Sequence, residues 1–324
     1  MRGIAVGIDV GGTNLRGALI SSDGKILKRR SVPSEANKGM EFVVKNLLRL
    51  IRDMVGNKEV AGIGIGIAGI IDQKKGVLTQ APNIANVRNY PIRKALIEQI
   101  GTGIPVFLEN DANCAALGEN WVGSGRESSS LVVLTLGTGV GGGIIVGGKL
   151  WRGEDGMAGE IGHITVDPDG PRCNCGNYGC LESFSSASAL RRRIKEVLGG
   201  KDIEASVRQR FTRVSEHRIP EVLRELALKG DKLALSLWDE FGRALGIAIA
   251  SLVNLLNVDM IVIGGGLSNA WELFIKSAIR ESRKRALRAP IRRVRIEKSV
   301  LGSDAGIFGA GYLVFEGCNG QNSQ

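Results

Sequence analysis

Proline, histidine, cysteine and aromatic residues are all scarce in this chain: 8 prolines, 2 histidines and 5 cysteines in 324 residues, with aromatics at 5%. So few aromatics leave little for the stacking platforms that grip single-stranded nucleic acid. Eight prolines against 46 glycines argue against a disordered chain and for many tight turns and close backbone approaches. Long apolar runs are missing too. Val60 to Ile71 is too short to span a bilayer, Leu245 to Leu267 is broken by Asn254, Asn257 and Asp259, and Asp9 interrupts the first apolar run. These features speak against a membrane-spanning helix and a secretory leader. A cytoplasmic protein without a membrane partner is expected, and in that reducing compartment clustered cysteines are more often metal ligands than disulfides.

Positive charge, by contrast, is in excess: 43 basic residues against 33 acidic leave a net +10. That balance suits anionic ligands and would also suit nucleic acid. The basic runs decide the matter. Arg191 to Lys195 lies within a helical pattern, and Arg283 to Lys298 is interrupted by Leu287, Pro290, Ile291 and Val294. Each reads as a solvated face, and no nucleic-acid partner is expected.

The length predicts two domains. Ile4 to Ile8 and Leu15 to Ile20 read as strands joined by Gly11-Gly12, with the turn Ser21 to Gly24 leading into Lys25 to Arg30. Met40 to Val55 carries apolar residues at helical spacing and stops at Gly56. Strands Val60 to Ile67 and Val106 to Leu108 follow, then a helix from Ala112 to Trp121. The opening then recurs: strand Leu131 to Leu136, turn Gly137-Thr138-Gly139, and a returning strand from Gly143. Two copies of strand, Gly-Thr turn and hairpin predict a duplicated α/β domain. Later, helix Leu237 to Leu256 feeds strand Met260 to Ile263 and the turn Gly264-Gly265-Gly266; the last helix, Gly306 to Phe315, is expected to return to the first domain, with Cys318 to Gln324 frayed.

Two glycine patterns are decoys. Gly137 to Gly142 fits a dinucleotide fingerprint, but Ile144-Ile145-Val146 continues as strand where that fold needs a helix. Gly143 to Lys149 nearly spells a phosphate-binding P-loop, yet Leu150 stands where Ser or Thr would hold magnesium. The duplicated turns are better read as a pair, Gly11-Gly12-Thr13 and Gly137-Thr138-Gly139, facing each other across a cleft and offering N–H groups and hydroxyls to phosphate oxygens. Asp9, just ahead of the first turn, is suited to hold Mg²⁺ through water.

Asn110-Asp111 ends a strand and opens a helix. It can serve as a plain N-cap, and Asp111 can also serve as the general base for a hydroxyl attacking a γ-phosphate. Cys173, Cys175 and Cys180 lie within eight residues, with Gly176 and Gly179 between them and His163 ten residues ahead. A closed Cys₃His zinc site is expected, structural because four protein ligands leave no open position. Unligated cysteines or a disulfide are the alternatives. Cys114, Cys318 and His217 show no such pattern.

Asp9 to Asn14, Glu109 to Asn113, Leu136 to Gly143, Gly159 to His163 and Cys173 to Glu182 together resemble the ROK family of sugar kinases and repressors, most closely its bacterial-type glucokinases. The resemblance implies an actin-like ATPase (ribonuclease H-like) α/β fold, with two duplicated domains flanking a cleft that close on ATP and a sugar. The expected division is residues 1–110 with 302–324 as the smaller domain and 111–301 as the larger, carrying the zinc loop. By the same resemblance Asp111 is the catalytic base, and Asn83, Asn110, Glu160, His163 and Glu182 contact the sugar. Gly11, Gly12, Thr13 and Thr138 contact phosphate, Gly264, Gly265 and Gly266 lie on the adenosine side, and a dimer or tetramer is expected. Two positions depart from the common pattern: Asn14 stands where many members have Lys, and the run after Asn83 lacks a tryptophan. The implied reaction is ATP-dependent phosphorylation of a hexose at its 6-hydroxyl, glucose first, with N-acetylglucosamine, N-acetylmannosamine or fructose as alternative acceptors. A repressor would need a helix-turn-helix module that the eight residues ahead of Asp9 do not supply.

Overall fold

The computed structural model describes residues 3–101, 103–200, 205–211 and 214–321. In chain order the elements are β1 (Ile4–Val10), β2 (Asn14–Ser21), β3 (Ile26–Pro33), α1 (Met40–Val55), β4 (Gly62–Ile67), β5 (Ile70–Asp72), β6 (Val77–Gln80), α2 (Ile92–Ile100), β7 (Val106–Asn110), α3 (Asp111–Val122), β8 (Leu131–Leu136), β9 (Val140–Val146) and β10 (Lys149–Leu150). Then follow α4 (Ala187–Gly199), α5 (Ala205–Phe211), α6 (Ile219–Leu228), α7 (Lys232–Leu256), β11 (Met260–Gly264), α8 (Trp271–Arg285), α9 (Arg288–Arg293), β12 (Arg295–Lys298) and α10 (Ala305–Gln321).

Two five-stranded sheets have the orders β3-β2-β1-β4-β7 and β10-β9-β8-β11-β12. These are the same order once β8, β9 and β10 are matched to β1, β2 and β3, so the repetition of the Gly-Thr turns is a repetition of topology. In the first sheet β1 pairs antiparallel with β2 and parallel with β4, which pairs parallel with β7. Both Gly-rich decoys fall in hairpins between β8, β9 and β10, where no helix follows.

The chain divides into two compact units, one of Met1–Val133, Gly143–Gly159 and Ser299–Gln324, the other of Leu134–Gly142 and Glu160–Lys298. The expected boundary at 110/111 is therefore corrected: α3 stays with the first unit. Aromatic packing explains why, since Trp121 near the end of α3 meets Phe308, Tyr312 and Phe315 of α10 at centroid distances of 6.4, 5.4 and 5.8 Å. Helix α10 itself continues to Gln321, past the expected end at Phe315, and only residues 322–324 of the expected frayed tail lie outside the described residues.

In the first unit the Gly-Ile alternation of β4 sorts its two faces. Ile63, Ile65 and Ile67 join Ile8, Leu15, Leu47, Ile51 and Met54 in the core under α1, while Gly62 and Gly64 admit α10 and Gly66 admits α3. A Cβ on Gly64 would stand 1.7 Å from the Ala310 carbonyl oxygen. Gly64→Ala is therefore expected to destabilise the protein by about 3 kcal/mol, the upper range for overpacking, read as a lower urea midpoint at unchanged slope.

The second unit packs α7 against α8 through Trp238, Phe241 and Phe274, all fully buried, with ring centroids 5.1 to 6.2 Å apart. Helix α7 starts at Lys232, not Leu237, because Asp231 caps it by accepting from the Ala234 N–H at 2.9 Å. Its other end closes on Asn257 in the left-handed region, φ 49°. The basic runs lie on helix surfaces with carboxylate partners: Arg193 meets Glu196 and Glu240 at 2.8 and 3.1 Å, and Lys284 and Arg285 meet Glu281 at 3.4 and 2.7 Å. No helix among the described residues is long and apolar enough to cross a membrane.

Candidate active site

In the first unit the turn between β1 and β2 is closed by the Gly11 N–H donating to the Asn14 carbonyl at 3.0 Å. Ser34 ties it down, its hydroxyl donating to the Gly12 carbonyl at 2.7 Å and its N–H to the Thr13 carbonyl at 2.9 Å. Gly12 and Thr13 stand exposed. Asn83 lies beside this turn, its Cβ 3.5 Å from where a Cβ on Gly12 would be. Asp9 faces Arg16 across the β1–β2 ladder and forms an ion pair with it, a partner that the spacing of the two residues in the sequence does not reveal.

Strand β7 delivers Asn110 and Asp111 to the start of α3. The N-cap is Asn110: its Oδ1 accepts from the N–H groups of Ala112 at 2.9 Å and Asn113 at 3.2 Å, and its Nδ2 donates to the Gly69 carbonyl at 3.3 Å. Asp111 is the first helical residue, with Oδ1 accepting from the Ala112 N–H at 3.0 Å. The N-cap and the expected base are thus neighbouring residues, whose side-chain oxygens share the Ala112 N–H. A negative charge in the first turn is also favoured by the helix dipole. Cys114, one turn on, is fully buried, and burial pushes its thiol well above the usual range, so it behaves as a small apolar residue.

In the second unit Gly137 closes its turn by donating to the Gly139 carbonyl at 2.9 Å. The N-terminus of α4 is anchored there: the Ala187 N–H donates to the Gly137 carbonyl at 2.9 Å, and the Ser188 hydroxyl to the Thr138 carbonyl at 2.8 Å. The other glycine turn abuts the same place. Gly265, at φ 82°, sits so close to β8 that a Cβ would be 2.4 Å from the Leu136 carbonyl oxygen. Gly264, Gly265 and Gly266 thereby gather beside Gly137, Thr138 and Gly139. Ser188 escaped sequence reading because a serine in a helix carries no signal of its own.

The cysteine loop lies in the same unit. The Cys175 and Cys180 sulfurs are 3.7 Å apart, Cys173 Sγ is 3.8 Å from His163 Nδ1, and the four donor atoms all lie within 4.8 Å of one another. All five cysteines are free thiols, and 3.7 Å is far beyond the disulfide bond length of about 2.05 Å. Four ligands held about 2.3 Å from a zinc ion define a tetrahedron with edges of about 3.8 Å, so the donor set fits that ion. Burial pushes the Cys180 thiol up to about 12, while the Asn177 N–H holds Cys175 below the usual thiol range. The Nδ1 edge of His163 faces the sulfurs and its Nε2 lies 3.9 Å from Glu160 Oε2. Glu182, expected to touch sugar, also ties this loop to the glycine turn, its Oε2 accepting from the Val140 N–H at 2.9 Å.

The sequence profile of the ROK family matches residues 5–316. A glucokinase of Thermotoga maritima is 37% identical over 315 residues, covering 97% of this chain and 98% of its own. A xylose repressor of Caldicellulosiruptor bescii is 32% identical, covering 95% of this chain and 77% of the repressor. Among solved structures, a ROK glucokinase of Streptomyces griseus in complex with glucose and AMPPNP superposes with a TM-score of 0.81 at 32% identity, covering 97% of this chain and 100% of that one. The repeated sheets and the Gly-Thr turns are accordingly those of the actin-like ATPase fold, and the chain belongs to the ROK family.

Proposed function

We propose that the protein transfers the γ-phosphoryl group of ATP to the 6-hydroxyl of a hexose, with glucose the preferred acceptor. The observation that carries this proposal is Asp111, the first residue of α3 directly after an N-cap formed by Asn110, in a chain similar along its whole length to glucokinases. Asn83, Asn110, Glu160, His163 and Glu182 hold the sugar hydroxyls. Asp111 accepts the hydroxyl proton as O6 bonds to the γ-phosphorus; the bond from that phosphorus to the β,γ-bridging oxygen breaks, and ADP leaves. The N–H groups around Gly11, Gly12, Thr13, Gly137, Thr138 and Gly139 receive the charge spread over the phosphoryl oxygens, and Gly264, Gly265 and Gly266 flank the adenosine.

Two ions complete this proposal. Magnesium carried with ATP would neutralise phosphate charge, and Asp9, which pairs with Arg16, is the carboxylate that would hold its waters. His163, Cys173, Cys175 and Cys180 would hold a structural zinc, whose contribution would be to fix the loop carrying Glu160 and Glu182 and the orientation of the His163 ring.

The test is Mg-ATP-dependent ADP release by zinc-replete protein with glucose, mannose, fructose, N-acetylglucosamine and N-acetylmannosamine, beside a blank without sugar. Glucose is expected to give the highest kcat/KM. Higher kcat/KM for an acetamido sugar would move the acceptor and keep the chemistry. Sugar binding without turnover on any of them would contradict the kinase and favour a sugar sensor, the role named for the xylose repressor.

A further inference from the structure

Strand β7 places Glu109 one residue ahead of the α3 N-cap, 1% exposed. A carboxylate so deeply buried is stable only if donors replace its water. Four do. Oε1 accepts from the Asn110 N–H at 2.9 Å and from Asn113 Nδ2 at 3.0 Å. Oε2 accepts from Gln73 Nε2 at 2.6 Å and from Arg152 Nε at 2.7 Å. A carboxylate offers about four lone-pair sites, so Glu109 is saturated and takes no part in binding a ligand.

The arrangement inverts a capping box. Ordinarily the third helical residue reaches back with an acceptor to the N-cap N–H. Here the residue ahead of the cap accepts that N–H, and the third helical residue, Asn113, donates its side chain to the same oxygen. Both ends of the first turn of α3 are thus tied to one buried charge, with Asp111 between them. The second oxygen brings in remote chain: Gln73, from the turn joining β5 and β6, whose carbonyl accepts from Arg93 Nη2 at 2.8 Å, and Arg152, just past β10, whose Nη2 also lies 3.7 Å from Glu316 of α10. The first turn of α3 is therefore referenced to three elements outside its own helix.

We propose that Glu109 is the positioning residue for Asp111, fixing the direction in which α3 presents that carboxylate to the sugar hydroxyl. This rests on Asp111 being the general base. An amide at position 109 would keep the shape and convert one acceptor oxygen into a donor, set against either the Gln73 and Arg152 donors or those of Asn110 and Asn113. Misplacing a reacting group by about 1 Å can cost about 10²-fold in rate.

The experiment compares Glu109→Gln and Asn113→Ala with the parent, all zinc-replete. It measures kcat per glucose-binding site, counted by titration calorimetry, and KM for glucose and ATP, with circular dichroism to establish folding. Counting sites separates positioning from stability, because a merely structural role lowers the number of sites and leaves the turnover of each unchanged. The expected result is a kcat per site about 10-fold lower in Asn113→Ala and about 100-fold lower in Glu109→Gln, exceeding any rise in either KM. Asn113→Ala removes one donor and leaves Gln73 and Arg152 in place, so it decides the matter if Glu109→Gln does not fold. Unchanged kcat per site in the folded variants, or an effect confined to KM, overturns the proposal. Asp111→Asn tells the two failures apart: an active Asp111→Asn removes the base and the positioning role together, whereas an inactive one beside fully active Asn113→Ala removes the positioning role alone.

Discussion

Asp111→Asn is expected to lower kcat by about 10³-fold, within the range that general-base catalysis supplies, while the Kd for glucose stays within about threefold. The amide keeps the size and the hydrogen-bonding reach of the carboxylate, so sugar contacts survive; what is lost is the ability to take a proton as O6 attacks. The structural environment supports so specific an effect. The cap of α3 is Asn110, whose Oδ1 takes two backbone N–H groups; Asp111 Oδ1 shares one of them, that of Ala112, and an amide oxygen at position 111 can accept the same bond, so the replacement leaves the first turn in place. Activity would be read by ADP release and binding by calorimetry on the same sample. Turnover above a tenth of the parent's would remove Asp111 from the mechanism.

Stripping zinc is expected to be the second large effect. A chelator that removes the ion should raise KM for glucose by about 10- to 100-fold, the scale on which support of a site by its surroundings acts, while far-UV circular dichroism changes little. The separation follows from where the contacts lie. His163, Cys173, Cys175 and Cys180 hold one another in a loop without regular strands, whereas Trp238, Phe241 and Phe274 give the same unit an apolar core of its own. Without the ion, three thiols regain protons and the loop loses the tie that orients His163, Glu160 and Glu182. Parent zinc content should be about one per chain, matching the single four-donor cluster among the described residues. Unchanged KM and kcat in metal-free protein would contradict the role given to the cluster.

Much of the architecture was legible in the sequence because it is written in local patterns. The helical spacing from Met40 to Val55, the Gly-Ile alternation of β4 and the recurrence of a Gly-Thr turn after a strand each depend on neighbours in the chain, and each appears in the fold as β and α elements of nearly the expected length. The cysteine cluster was legible for the same reason: three of its four donor residues lie within eight positions. What escaped detection is long-range. Glu109 looks like any strand-end carboxylate until Gln73 and Arg152, 36 and 43 positions away, are brought to it. Arg16 is an ordinary exposed-strand arginine until the antiparallel register sets it opposite Asp9. The expected domain boundary failed likewise, because the partner that claims α3 is α10, nearly two hundred residues on.

The most direct test of the proposed chemistry is the product itself. Zinc-replete protein given Mg-ATP and glucose would be followed by phosphorus NMR, with a sample lacking glucose beside it. The account predicts glucose 6-phosphate and ADP appearing in equal amounts, with no hydrolysis to inorganic phosphate beyond the blank. Inorganic phosphate as the main product, or no phosphate ester formed while glucose is bound, would contradict it.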